Sequence, residues 1–220
     1  MGAHQRARAR KGSGGFTVVE LAFGMVLLGT LLGATFMLTE GGLSAFRSTD
    51  LRTSAESRAR RALDRVCAEL VRASEATLFP DASGQFGTDT LSYNQIVGLD
   101  AGAVQFGPTM RLAFEYAEGE LDDGADNDGN GVVDDGVIVM TTNVGEANET
   151  RIVLCRDVSE LLEGETVNGD DDNGNGVIDE AGFSIRRVDD VMFVRLSIEQ
   201  RGTQGELVVV TIESAIELRN

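Results

Sequence analysis

Phe16-Thr-Val-Val-Glu-Leu-Ala-Phe-Gly-Met-Val-Leu-Leu-Gly-Thr-Leu-Leu-Gly-Ala-Thr-Phe-Met-Leu38 is the stretch on which the fold turns. It is almost wholly apolar. As a helix its 23 residues rise about 35 Å, enough for a bilayer core of about 30 Å. Arg6, Arg8, Arg10 and Lys11 precede it and no acid does. Such a basic flank holds its own end of a membrane helix in the cytoplasm, which puts the rest of the chain on the other side. The expectation is a leader over residues 1–15, a transmembrane helix over 16–38 and an exported body.

The remaining composition narrows the function. A chain of 220 residues with 42% hydrophobic content supports one folded domain beside the anchor. The net charge of −17 argues against nucleic acid, whose phosphates need a basic face. His4 is the only histidine and Lys11 the only lysine, and both precede Phe16. The body therefore lacks imidazole acid–base chemistry, Ser-His and Cys-His pairs, and Schiff-base lysines. Carboxylate-only chemistry stays open by composition. No other catalytic constellation stands out, so no enzyme is expected.

Three kinds of apolar segment compete for residues 16–38. A secretory signal has a run of about 7–15 apolar residues followed by a small-residue cleavage site. This run is longer, and Thr39-Glu40-Gly41-Gly42 matches such a site poorly. A plain anchor does not explain Glu20, since a carboxylate inside a membrane helix costs roughly 2.5–3.5 kcal/mol and usually marks a function.

Gly14-Gly15-Phe16-Thr17-Val18-Val19-Glu20-Leu21 resembles the class III signal of type IV pilins and type II secretion pseudopilins. The resemblance implies that a prepilin peptidase cuts between Gly15 and Phe16 and methylates the new amine. Glu20 becomes the fifth residue of the mature chain, where its carboxylate can meet the amine of a neighbouring subunit and set assembly register. Gly24, Gly29 and Gly33 lower helix propensity by about 1 kcal/mol each. They serve either close helix packing or, as the resemblance suggests, local melting on assembly.

Residues 39–79 read as an amphipathic continuation of the helix, with a looser join at Gly41-Gly42 and a stop at Pro80. Ala59, Leu63, Val66, Cys67, Leu70 and Ala73 recur at helical spacing on one side. Arg58, Arg60, Arg61, Arg65 and Arg72 mostly take the other faces, for solvation or for an acidic neighbour. Ala62–Ala73 and Val210–Asn220 resemble the same regions of minor pseudopilins of the J type and minor pilins of the W type. Glu20 sets the chain apart from the K-type tip pseudopilin, which typically lacks that acid.

Residues 80–220 read as a β-rich domain. Short runs such as Met110–Tyr116, Val137–Thr142, Ile152–Cys155, Val191–Glu199 and Leu207–Ile216 are rich in Val, Ile and Phe. Several alternate in and out, and Gly, Asn and Asp clusters separate them. A long helix followed by strands gives an α+β class, with an antiparallel sheet packed on the helix's apolar stripe. That is also the pilin-like fold the resemblance implies.

Two acidic loops, over 120–136 and 163–182, repeat one pattern. Asp123-Gly-Ala-Asp-Asn-Asp-Gly-Asn-Gly-Val-Val-Asp-Asp135 aligns without gaps with Asn168-Gly-Asp-Asp-Asp-Asn-Gly-Asn-Gly-Val-Ile-Asp-Glu180. Asp, Asn and Gly are ordinary turn residues, but 14 carboxylates crowd Glu120–Asp135 and Glu163–Glu180 and repel one another without a cation. Calcium takes six to eight oxygens from such groups. The candidate ligands are Asp126, Asp128, Asn130, Asp134 and Asp135 in the first loop, and Asp171, Asn173, Asn175, Asp179 and Glu180 in the second. Position 12 of an EF-hand would fall on Val137 or Gly182, not glutamate, so the loops are not EF-hands. They are more similar to the aspartate-rich calcium repeats of thrombospondin type 3.

Cys67 falls on the helix and Cys155 on a strand. An oxidising compartment permits a bridge between them, and two buried free thiols are the alternative. Taken together, the expectation is a structural subunit of a type II secretion pseudopilus or type IV pilus, acting at initiation or at the tip. It would be a single-pass inner-membrane protein with its body in the periplasm, later moving into the filament. Its partners would be the membrane, prepilin peptidase, other pilins or pseudopilins and the inner-membrane assembly platform. The alternative is a calcium-dependent adhesin or binding module displayed on such a filament.

Overall fold

The structure, a computed structural model, describes residues 15–84, 86–174, 176–202 and 205–218. The basic leader residues, Asn175 and the last two positions of the chain lie outside them. The architecture is α+β. One long helix, α1 (Val18–Leu70), accompanies seven antiparallel strands: β1 (Thr90–Asp100), β2 (Ala103–Tyr116), β3 (Gly136–Thr142), β4 (Thr150–Val158), β5 (Phe183–Val188), β6 (Val191–Arg201) and β7 (Leu207–Glu217). A long N-terminal apolar helix with an antiparallel sheet is compatible with a pilin-like fold.

The chain divides into two compact units, one ending at Phe46 and the other beginning at Arg47. In the first unit every side chain of α1 is exposed. Phe23, Leu27, Leu31, Leu32 and Phe36 are each at least 60% accessible, and they point to different sides of the helix. A helix that is apolar all round needs a bilayer or a packed surround. This one is long and apolar enough to cross a membrane. It runs unbroken through Gly24, Gly29, Gly33 and Gly41-Gly42, so the looser join expected at Gly41-Gly42 is absent here.

In the second unit α1 becomes one-sided. Ala55, Ala59, Ala62, Leu63, Val66 and Leu70 are buried, with the three- and four-residue steps of a helix stripe. They join a single apolar cluster with Leu91 and Tyr93 of β1, Leu112 of β2, Ile138 of β3, Val158 of β4, Phe183 and Ile185 of β5 and Met192, Val194, Leu196 and Ile198 of β6. Full burial of each Leu, Ile, Val, Met or Phe is worth about 1.5–3 kcal/mol. On the arginine side, Arg58 pairs with Asp157 and Arg60 with Glu56.

α1 ends at Leu70, earlier than the stop expected at Pro80. Strand pairing takes over the backbone. Ser74 N–H donates to Asn94 at 3.0 Å, and Ile96 N–H donates to Arg72 at 3.2 Å, while Ala73 bridges Gln95. Completely buried Ala73 holds this crossover against the core.

β1 to β4 form a meander, joined to β6 through the pair Val158–Ile198. β6 carries β5 and β7 as antiparallel neighbours. The first acidic loop links β2 to β3, and the second links β4 to β5.

Candidate functional site

The start of α1 carries the first site. Gly15 and Phe16 precede the helix and are exposed, so the bond between them is open to a protease. Thr17 and Glu20 form a reciprocal cap. Thr17 N–H and Oγ1 donate to Glu20 Oε2 at 2.9 and 3.0 Å, and Glu20 N–H donates to Thr17 Oγ1 at 3.2 Å. This is the T-x-x-E capping box, which satisfies two of the amides that every helix start leaves open. In the single chain, then, Glu20 has a local partner. The T-x-x-E spacing behind this cap, Thr17 to Glu20, is legible in the sequence.

The acidic loops repeat in three dimensions as well as in sequence. Asp126 accepts from Gly129 and Gly131 N–H at 2.7 and 2.8 Å, and Asp171 accepts from Gly174 and Gly176 N–H at the same distances. Gly131 and Gly176 both have φ near +91°, a left-handed conformation that favours glycine. Asp134 turns back to accept from Asp123 and Gly124 N–H, as Asp179 does from Asn168 and Gly169. Ala117 N–H donates to the Asp135 carbonyl, and Leu162 N–H to the Glu180 carbonyl.

The repeat begins earlier than the quoted motif, at Glu118-Gly119-Glu120 and Glu163-Gly164-Glu165. Its third residue is central. Glu120 and Glu165 are 6% and 8% accessible and reach into their loops. Glu120 Oε1 accepts from Asn127 and Asp128 N–H at 3.0 and 2.7 Å. Glu165 accepts from Asn173 N–H at 3.1 Å with Oε1 and from Asp179 N–H at 3.2 Å with Oε2. Neither glutamate was among the expected ligands.

The five expected ligands of the first loop divide by role. Carboxylate oxygens of Asp126 and Asp128 gather with one of Glu120, all within 4.8 Å of one another. Asn130 borders them: its Oδ1 accepts from Val132 N–H at 2.7 Å, and its amide donates to Asp135 at 2.8 Å and to Asp128 of the trio at 3.2 Å. Asp134 closes the loop start. Asp135 is 1% accessible, and burial pushes its carboxyl up despite the Asn130 hydrogen bond. Asp134 instead stands within 4.8 Å of Asp122 and Glu160. Burial raises Glu160 too, against the lowering effect of the Tyr116 hydroxyl that donates to it at 3.0 Å.

In the second loop Asn173 stands where the first has Asp128, and Glu180 where the first has Asp135. Arg195 donates to Glu180 at 2.6 Å and to Glu213 at 3.1 Å, so a fixed cation already answers Glu180. Asp171 and Asp179 hold loop amides, and Asn173 Nδ2 donates to Glu180 at 3.4 Å. Among the described residues this loop gathers no trio of acids like that of the first.

Cys67 and Cys155 are free thiols. Cys67 lies beside Ser214 of β7, and Cys155 has Arg58 of α1 and Asp157 as charged neighbours. The two thiols are unbridged here, and both pack against the core cluster. Burial pushes Cys155 up to about 11 and raises Cys67 as well, so neither is an activated nucleophile.

Comparison with known proteins finds no matching family model, no matching curated protein and no matching solved structure.

Proposed function

We propose that the chain is a non-enzymatic filament subunit, a minor pilin or pseudopilin that prepilin peptidase trims to Phe16 and methylates. α1 then keeps it in the inner membrane with its body in the periplasm until the assembly platform passes it to other pilins or pseudopilins. The observation that carries this reading is the first half of α1, exposed and apolar on every side, with a single carboxylate at its head. Lipid covers such a surface before assembly and neighbouring helices cover it afterwards. The Glu20 carboxylate, capped by Thr17 in the single chain, meets the methylated amine of the next subunit as that chain docks.

Glu20→Ala tests this. The variant loses half of its capping box but also a costly charge in the membrane. Leader removal and membrane insertion are expected to stay intact, while incorporation into sheared filaments or a pseudopilus falls to background. Normal incorporation of the variant would overturn the assembly role of Glu20.

A further inference from the structure

We infer that the first acidic loop holds one calcium-class divalent cation, bound by Glu120, Asp126 and Asp128. A cluster of acids alone does not make a site. Here a second observation points into it: Glu120 is 6% accessible, and its Oε2 is buried without a hydrogen-bond partner among the described residues. Its other oxygen already takes two loop amides. A buried carboxylate oxygen with no partner is costly, and native structures rarely leave one unexplained.

The spacing suits a cation. Two oxygens each about 2.4 Å from one calcium ion lie at most about 4.8 Å apart. Oxygens of Glu120, Asp126 and Asp128 meet that limit for every pair. The hydrogen bonds that Asp126 and Asp128 accept do not exhaust them, since each carboxylate oxygen has two lone pairs. Three hard oxygen donors without histidine or thiolate favour calcium over transition metals. Magnesium fits less well, because it demands near-ideal octahedral geometry.

The ion would tie the end of β2, through Glu120, to the middle of the loop before β3. The second loop does not repeat this arrangement. Both oxygens of Glu165 accept loop amides, and Asn173 replaces the third carboxylate. The proposal is independent of filament assembly.

Isothermal titration of the detergent-solubilised full chain, stripped with chelator and titrated with calcium chloride, tests it. One site is expected. Glu120→Gln keeps an oxygen for the two amides but removes the charge, and should weaken binding by about tenfold or more. Glu163→Gln, at an exposed acid that belongs to neither set of candidate ligands, should leave binding unchanged. Circular dichroism in chelator shows whether Glu120→Gln folds; if it does not, Asp126→Asn with Asp128→Asn takes its place. No heat at millimolar calcium, or binding unaffected by the first-loop variant, would overturn the proposal.

Discussion

Tyr93 stands on β1 with its ring completely buried and its hydroxyl without a hydrogen-bond partner among the described residues. Burial, with Glu69 nearby, raises its pKa strongly, so the group stays neutral. An unpaired buried hydroxyl costs about 1–3 kcal/mol, while the ring itself packs as phenylalanine would. Tyr93→Phe is therefore expected to raise stability by about 1 kcal/mol, read as a higher midpoint in denaturant; a fall of that size would show that the hydroxyl has a partner. The sites were unevenly legible at this scale. Asp126 and Asp128, two of the three acids that gather in the first loop, are picked out by the loop pattern that repeats in sequence. Glu120 was missed because its role depends on burial, which no spacing reports, although the duplicated Glu-Gly-Glu ahead of each loop was there to be read. Asp134 shared that spacing; its carboxylate accepts from Asp123 and Gly124 N–H and gathers with Asp122 and Glu160 in a separate group of acids.

α1 carries two different surfaces on one continuous element, exposed on all sides in its first half and striped in its last turns. The stripe was legible because Ala59, Leu63, Val66 and Leu70 keep helical spacing whatever they pack on. The helix end was not, since the bonds from Ser74 and Ile96 that stop it come from a strand about twenty residues away in sequence. β2, β3, β4, β6 and β7 each contain a run quoted from the sequence. β1 and β5 escaped that reading for a physical reason. Each offers the core few apolar side chains, Leu91 and Tyr93 in one and Phe183 and Ile185 in the other, among polar neighbours. Leu70, completely buried where the helix gives way to the β1 crossover, tests the packing. Leu70→Ala should cost about 2–5 kcal/mol in the unfolding free energy of the body. A loss below about 0.5 kcal/mol, the range of a surface change, would mean that the helix is not part of the core.

At the scale of the whole molecule, the charge is divided along the chain. Four basic residues and no acids precede Phe16, and all 36 acids follow it. The apolar half of α1 lies between these two regions, followed by a β-sheet body whose acidic loops connect its strands. The proposed membrane protein, exported in this orientation, trimmed at its basic end and kept by its helix, would account for all three features. The central claim is that this trimming occurs at the head of α1. Intact-mass spectrometry of the protein isolated from its native membrane measures it directly. The account predicts one species beginning at Phe16 and heavier by a single methyl group. A chain that still carries residues 1–15, or one cut after residue 38, would contradict it.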